Sequence, residues 1–444
     1  MRQARHDWLR LSLLIPVIIG TVLRFLAGIF DNPLNHLFSD PARHWDNAVN
    51  FFNPGLMGGC DPILYQVYLM GARAISAGNS LIIGILTGLL SATMPWLYYR
   101  AARSFGIGAT SAMFCWAAIA WLPSFFVIYR YFMMETLLLP LIGLGLWMTG
   151  RAIQRGEMVS FLTATSVWTL AILTKAQAIP IALICWGYAL WPLPRKLPAV
   201  GFSLCILFLL ALPNAVRSKE ILGYFAPFGS GYIACIMHES GATHTRFETK
   251  RGSWRFSSPS CYIEPLEPIN RWRIKRGVIE VNHEVRVDLS RGRHDWVNAL
   301  SAAHRTPWEW CVHGWENVIL FLFAPSWPDS GRDHLSGWLN HHSRWLWAPL
   351  LFQVVVGNFS LFLRRQFDPI PVATSVILLF LMFQNSFTME GRYRKPLEPL
   401  LILNVIWLWS PAGKKGRRAS VANSESGHLG ASRERPLRRS DTFL

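Results

Sequence analysis

A chain of 444 residues that is 52% hydrophobic, holds 21 Trp and has only 16% charged residues carries more apolar surface than a soluble fold of that size buries. Part of it must face lipid. Its formal charge of +17 sits at segment ends and in the last few dozen residues, without the basic and aromatic interleaving of a nucleic-acid face, which argues against nucleic acid as a partner.

Arg2, Arg5 and Arg10 precede an apolar run over 11–30, interrupted by Arg24. No small-residue cleavage site follows, so the run is expected to stay as a helix rather than be removed as a signal peptide. Further runs of helical length lie near 80–99, 107–128, 133–149, 159–175, 177–193, 198–212, 345–363, 369–387 and 397–410. Threaded from a cytoplasmic N-terminus, they put Arg100 and Arg103, Arg151 and Arg155, Arg195 and Lys196, and Arg364 and Arg365 on the cytoplasmic side, where basic residues accumulate. The expectation is an all-α polytopic membrane bundle of about ten transmembrane helices, in a bacterial inner membrane or an ER membrane, with both termini cytoplasmic.

The same threading divides the chain. Residues 1–212 form an N-terminal transmembrane module with a first outer loop at 31–79, 213–344 a small outer-face domain, 345–410 the last transmembrane helices, and 411–444 a basic tail. The tail is poor in apolar residues and is predicted to be disordered, drawn weakly to anionic lipid. Within the outer domain, Val318–Phe323 is apolar but too short to span and is expected at the membrane interface. Cys115, Cys185 and Cys205 fall inside apolar runs as packing residues. Cys60, Cys235, Cys261 and Cys311 fall outside, where they could form up to two disulfides. There is no CxxC or HExxH, and the outer histidines, His341-His342 among them, lack ligand spacing; no metal site is predicted.

Charged residues near the outer helix ends carry whatever chemistry there is, because ionisable groups at membrane depth persist mainly where they face a cavity or pair with one another. They are Asp40, Arg43, His44 and Asp46 after the first run, Arg130 and Glu135 where the third run passes into the fourth, Lys175, Arg217, and Glu390, Arg392 and Arg394 before the last. Each has a plain structural explanation. Asp40-Pro41 suits a helix start; Glu135 in a first turn complements the macrodipole; Arg43, Arg130, Lys175 and Arg217 are long enough to snorkel to headgroups; Arg392-Tyr393-Arg394-Lys395 suits an interfacial anchor. Arg130 and Glu135, five apart, would point away from each other on a continuous helix. Their gathering on five turns of one bundle is the stronger signal, and acids among excess bases suit an anionic substrate.

In that order these landmarks resemble the GT-C membrane glycosyltransferases, such as the protein O-mannosyltransferases and the lipid A aminoarabinose transferases. The resemblance rests on Asp40 in the first outer loop, Arg130-Tyr131-Phe132-Met133-Met134-Glu135, Leu173-Thr174-Lys175, Pro213-Asn214-Ala215-Val216-Arg217 through Gly223, and Arg392-Tyr393-Arg394-Lys395-Pro396-Leu397-Glu398-Pro399. Short motifs of this kind cover roughly 10–410 of the chain. Many members follow the first-loop aspartate with a second acid; here Pro41 follows and the next acid is Asp46, which leaves both aspartates open as the base, Asp40 first. Around Arg217, Ala215-Val216 and Ser218 also depart from the usual aromatic and Asn.

The resemblance implies a polyprenyl-phosphate sugar as donor substrate, no tightly bound cofactor, and an acceptor hydroxyl on a glycan, lipid or protein. Asp40 would act as general base with inversion at the anomeric carbon. Arg217, Arg392, Arg394 and Lys175 would hold the leaving phosphate, Arg43 and His44 would position phosphate or acceptor, and Glu135, the second catalytic residue, would bind sugar hydroxyls or orient the acceptor. Arg130, Asp46 and Tyr393 complete the expected binding set, and participation of a divalent cation stays open. The competing reading is a transporter or flippase for a lipid-linked or anionic solute, against which stands the lack of an internal repeat.

Overall fold

The computed structural model describes residues 2–37, 39–52, 58–59, 61–229, 243–249, 279–286, 335–387 and 391–410, with single positions between 308 and 322. The tail 411–444, Cys60, Cys235, Cys261, Glu390 and the side chains of Arg392, His341 and His342 lie outside the described residues, as does most of 213–344.

Helix α1 (Arg2–Phe30) contains the first apolar run, and a short 3-10 turn (Pro33–His36) leads into α2 (Ser39–Val49). Asp40 lies in the first turn of α2, with Ser39 opening the helix, so the aspartate is one position further in than an N-cap. Next comes α3 (Ile63–Ser76), a 14-residue amphipathic helix inside the stretch expected to be an outer loop. Helix α4 (Ser80–Ser104) starts on Asn79, whose side chain accepts from the backbone N–H of Leu81 and Ile82, a local cap that the sequence Asn-Ser provides. Then follow α5 (Ala109–Trp121), the five-residue α6 (Pro123–Val127), α7 (Met134–Arg155), α8 (Met158–Thr174), α9 (Ile179–Leu190) and α10 (Lys196–Leu222). The last three helices are α11 (Leu335–Leu363), α12 (Pro369–Phe387) and α13 (Glu398–Trp409).

Each apolar run read from the sequence falls on one of these helices except 107–128, which is divided at Leu122 between α5 and α6. Five described helices, however, are long and apolar enough to cross a membrane, Leu11–Phe30, Ser80–Ser104, Met134–Arg155, Lys196–Leu222 and Trp345–Leu363, or six if Ala109–Trp121 and Pro123–Arg130, bent by 58°, count as one. Met158–Thr174, Ala176–Leu190, Pro369–Gln384 and Glu398–Trp409 are apolar but only 10–17 residues long, below the ~20 that span a hydrocarbon core. The all-α reading is also modified. Strands β1 (Thr243–Thr249) and β2 (Ile279–Arg286) form an antiparallel pair with a bulge between Arg246 and Phe247.

Close helix contact is made by small residues, as in other apolar bundles. A Cβ on Gly28 would sit 2.5 Å from the backbone N of Gly88, and one on Gly88 would sit 2.5 Å from Phe25 O. That approach brings Asn32 to donate to Ser80 O, tying the start of α4 to the loop after α1. Helix α7 is the central element, enclosed by α4, α8 and α9, and the main core runs from Met94 and Tyr98 through Leu138, Leu139 and Ile142 to Trp347 and Leu400. Phe321 belongs to this core, fully buried. Of the segment expected at the interface, Phe321 and Leu322 are thus held against the bundle, with Arg394 binding their carbonyls at 2.8 Å each.

Gly28→Ala is expected to lower the melting temperature of the detergent-purified protein, at a cost of about 1–3 kcal/mol for overpacking against backbone. Gly71→Ala, where an added Cβ meets nothing within 4 Å, should leave it unchanged.

Candidate functional site

The polar residues gather where α2, α3, α7, α8 and α10 begin or end on one side of the bundle. Arg43 on α2 is the first junction: Nη1 donates to Asp61 Oδ2, and Nη2 donates to Asp40 Oδ1 at 3.3 Å. Burial works against its charge, but the carboxylates of Asp61 and Asp40 outweigh that and hold the guanidinium above its ordinary pKa. Asp61 Oδ2 also lies 3.4 Å from His44 Nδ1. The Asp40 side chain is 29% exposed and that of Asp61 15%, so Asp40 is the more accessible carboxylate.

Helix α3 joins this junction to the others. Gln66, fully buried, accepts from Arg217 Nη2 at 2.6 Å and donates to Gly58 O at 2.8 Å. Arg217 also donates to Phe51 O at 3.2 Å and Gly58 O at 3.3 Å, with its guanidinium 5.1 Å over the Phe51 ring. One residue earlier, Tyr65 packs edge-on to His44 at 5.5 Å and meets Thr136 Oγ1 at 3.4 Å. Burial pushes the Tyr65 phenol well above its usual pKa, and Tyr68 beside it is pushed up to about 12, so both are neutral hydrogen-bonding groups. Trp45 stacks on Phe132 at 4.7 Å and carries Arg73 over its other surface at 5.1 Å. Through these contacts α2 and α3 share one apolar cluster with Phe132, Met134 and Leu137.

Glu135 is in the first turn of α7, as its sequence position predicts. Its side chain is only 1% exposed and accepts from Lys175 Nζ at 2.6 Å. Lys175 ends α8 in an extended conformation and lies 4.9 Å from the Tyr393 ring centroid. The contacts make three groups, Asp40, Arg43 and His44 around Asp61, Arg217 on Gln66, and Glu135 with Lys175 and Tyr393. Tyr65, which touches His44 and Thr136, brings them together because it precedes Gln66 and Thr136 follows Glu135 along the chain.

Three expected residues stand apart. Asp46 is exposed. Arg130 closes a 3-10 turn (Ile128–Arg130), and the non-helical residues Tyr131 to Met133 separate it from α7, so no continuous helix joins it to Glu135. Its Nε pairs with Asp31 Oδ2, whose other oxygen is 2.7 Å from His36 Nε2. Arg394 is buried, paired with Glu398 Oε1 at 2.9 Å and with the Phe321 and Leu322 carbonyls. Beside it Lys395 donates to Ser124 O at 2.9 Å and Ser124 Oγ to Glu398 Oε2 at 2.8 Å. This ion network locks the approach to α13 and is not a set of open phosphate donors.

Sequence reasoning passed over Asp61, Tyr65 and Gln66, and the carboxylates Asp31 and Glu398 that neutralise expected cations. Asp61-Pro62, just before a helix, repeats the Asp40-Pro41 dipeptide of the same stretch, which lies in the first turn of one; that repetition was the available signal. Among the described residues no group of three or more His, Cys, Asp or Glu is placed to hold a metal ion.

The sequence finds no match among protein-family profiles or curated proteins. Among solved structures the chain is similar to an archaeal oligosaccharyltransferase, AglB from Archaeoglobus fulgidus, determined in complex with an inhibitory peptide and a dolichol-phosphate. The two are 13% identical, the match covers 94% of this chain and 52% of that one, and the TM-score is 0.41. The chain therefore spans about half the length of that structure.

Glu135→Gln and Lys175→Met, each alone, leave one buried charge uncompensated and should destabilise by about 3–5 kcal/mol. The double variant should recover part of this, with a coupling of about 1–3 kcal/mol in a cycle of thermal melts. Additive losses would mean that the pair does not form.

Proposed function

We propose that this chain is an integral membrane glycosyltransferase that moves a sugar from a polyprenyl-phosphate donor to an acceptor hydroxyl at the outer face. The observation that carries the reading is the linkage of Asp40, Arg43, His44, Arg217, Glu135, Lys175 and Tyr393 into one polar assembly at the ends of five helices. Ionisable groups in an apolar bundle are costly, and a purely structural role would need pairs, not an assembly with an open carboxylate at its edge. The proposal includes the ten-helix threading, which places this end of the bundle on the outer face and 213–344 beside it as an acceptor-side domain.

In the proposed reaction the acceptor oxygen attacks the anomeric carbon as Asp40 takes its proton, and the bond from that carbon to the phosphate oxygen breaks with inversion. Polyprenyl phosphate leaves with the electron pair. Its charge needs no protonation where cations hold it. Arg43 bonds Asp40 directly, and Lys175, Arg217 and Arg392 complete the proposed clamp. Each guanidinium already bound to a carboxylate or carbonyl is oriented in advance, so the phosphate meets preorganised donors. Arg394 serves at one remove by fixing the loop that brings Tyr393 to Lys175. Glu135, held by Lys175, faces sugar hydroxyls, and Asp61 keeps Arg43 and His44 in place.

The test is turnover of a panel of radiolabelled polyprenyl-phosphate sugars by protein in liposomes, with and without chelator. Asp40→Asn should reduce release of polyprenyl phosphate by about 10²–10⁴-fold at unchanged expression, while Asp46→Asn should stay within about twofold of the parent. An Asp40→Asn enzyme keeping more than roughly a tenth of the activity would remove Asp40 as the base. Labelled lipid that crosses between leaflets without turnover would favour the transporter.

A further inference from the structure

At the other end of α4 and α7 lies a second constellation that the proposed chemistry does not use. Both helices carry Trp followed one turn later by Arg: Trp96 and Arg100 on α4, Trp147 and Arg151 on α7. The helices pack side by side, and the four residues meet as a square. The indoles of Trp96 and Trp147 contact edge to face at 5.4 Å and 79°. Arg100 reaches across to Trp147 at 4.5 Å while lying 5.8 Å from its own Trp96, and Arg151 is 6.0 Å from Trp147. Trp147 is twelve residues beyond Glu135, roughly 18 Å along α7, so the square is well away from the polar assembly.

Two features separate it from a pair of solvated surface charges. Among the described residues neither Arg100 nor Arg151 makes an ion pair or a side-chain hydrogen bond, whereas neighbouring Arg103 donates to Ile107 O at 2.8 Å and Arg155 pairs with Glu157 at 3.8 Å. Two guanidiniums are drawn to one indole with no acid between them. Their mutual repulsion is relieved by an anion that takes donors from both, a geometry arginine's planar fork favours. Arg100 is exposed and Arg151, Trp96 and Trp147 are half-buried, so the square is open on one side. Its layering, indoles on the bundle side and guanidiniums one turn nearer the helix ends, matches a phospholipid, whose glycerol and acyl boundary lies one step deeper than its phosphate.

We infer that Trp96, Arg100, Trp147 and Arg151 form a binding site for one anionic phospholipid of the leaflet opposite the polar assembly, its phosphate between the two guanidiniums. The site is independent of the proposed transferase activity.

Full-length protein in a zwitterionic detergent is titrated with phosphatidylglycerol or phosphatidylcholine, and retained lipid is counted by native mass spectrometry alongside tryptophan fluorescence. One phosphatidylglycerol is expected to be held in preference to phosphatidylcholine, with about fivefold selectivity from each arginine. Arg100→Gln with Arg151→Gln should abolish the preference, and Arg100→Lys with Arg151→Lys should keep part of it, which separates loss of the site from loss of fold. Arg364→Gln with Arg365→Gln removes the same charge from exposed positions elsewhere and should change nothing. Equal retention by the parent and the Arg100→Gln, Arg151→Gln variant would overturn the inference, as would an equal loss on removing Arg364 and Arg365. Displacement of the lipid by inorganic phosphate at matched concentration would assign the site to a soluble anion instead.

Discussion

A charge placed inside an apolar bundle must find an acceptor there, and most of the architecture follows from how this chain meets that demand. Burying an ion without a partner costs several kcal/mol at least. Lys175 therefore holds Glu135, Arg394 holds Glu398, and Arg217 takes two carbonyls and Gln66. Arg24, alone among apolar neighbours on α1, binds the carbonyls of Ser91 and Phe125 and lies over Phe126 and Tyr129. Apart from Arg394–Glu398, four residues apart, these bonds join parts of the chain distant in sequence. Lys395 and Arg24 end on the consecutive carbonyls of Ser124 and Phe125. There the bent pair of helices leaves backbone groups outside the regular ladder, which a bundle interior must satisfy.

The same demand alters the chemistry that counting charges suggests. Read along the chain, bases outnumber acids around the outer turns. In three dimensions Asp31, Asp61 and Glu398 each answer one of those bases, so the cations are oriented and partly neutralised rather than in excess. Under the proposed reading, a donor phosphate would exchange with, or add to, acceptors already present. Arg43, shared between two carboxylates, is the cation best arranged for that.

The bundle also shows two distinct ways of using arginine beside aromatic rings. At the polar assembly Arg217 and Arg73 lie over Phe51 and Trp45 and are held by packing as much as by hydrogen bonds. At the far end Arg100 and Arg151 share the rings of two tryptophans without an acceptor from the described chain. Helix α7 runs through both regions, with Glu135 in its first turn and Trp147 and Arg151 toward its other end.

Sequence alone determined where the apolar helices run, because their length and composition are local properties. It also placed Glu135 in a first turn and Lys175 at a helix end, since boundaries follow from the residues beside them. It could not give the partners. The separation of Arg130 from Glu135 depends on three non-helical residues, the role of Arg394 on a carboxylate four positions later and carbonyls more than seventy residues away, and the importance of Asp61 on a helix hidden within a nominal loop. The tertiary structure decided these points. Pairing energy depends on distance and burial, and neither quantity exists until distant turns are packed against one another.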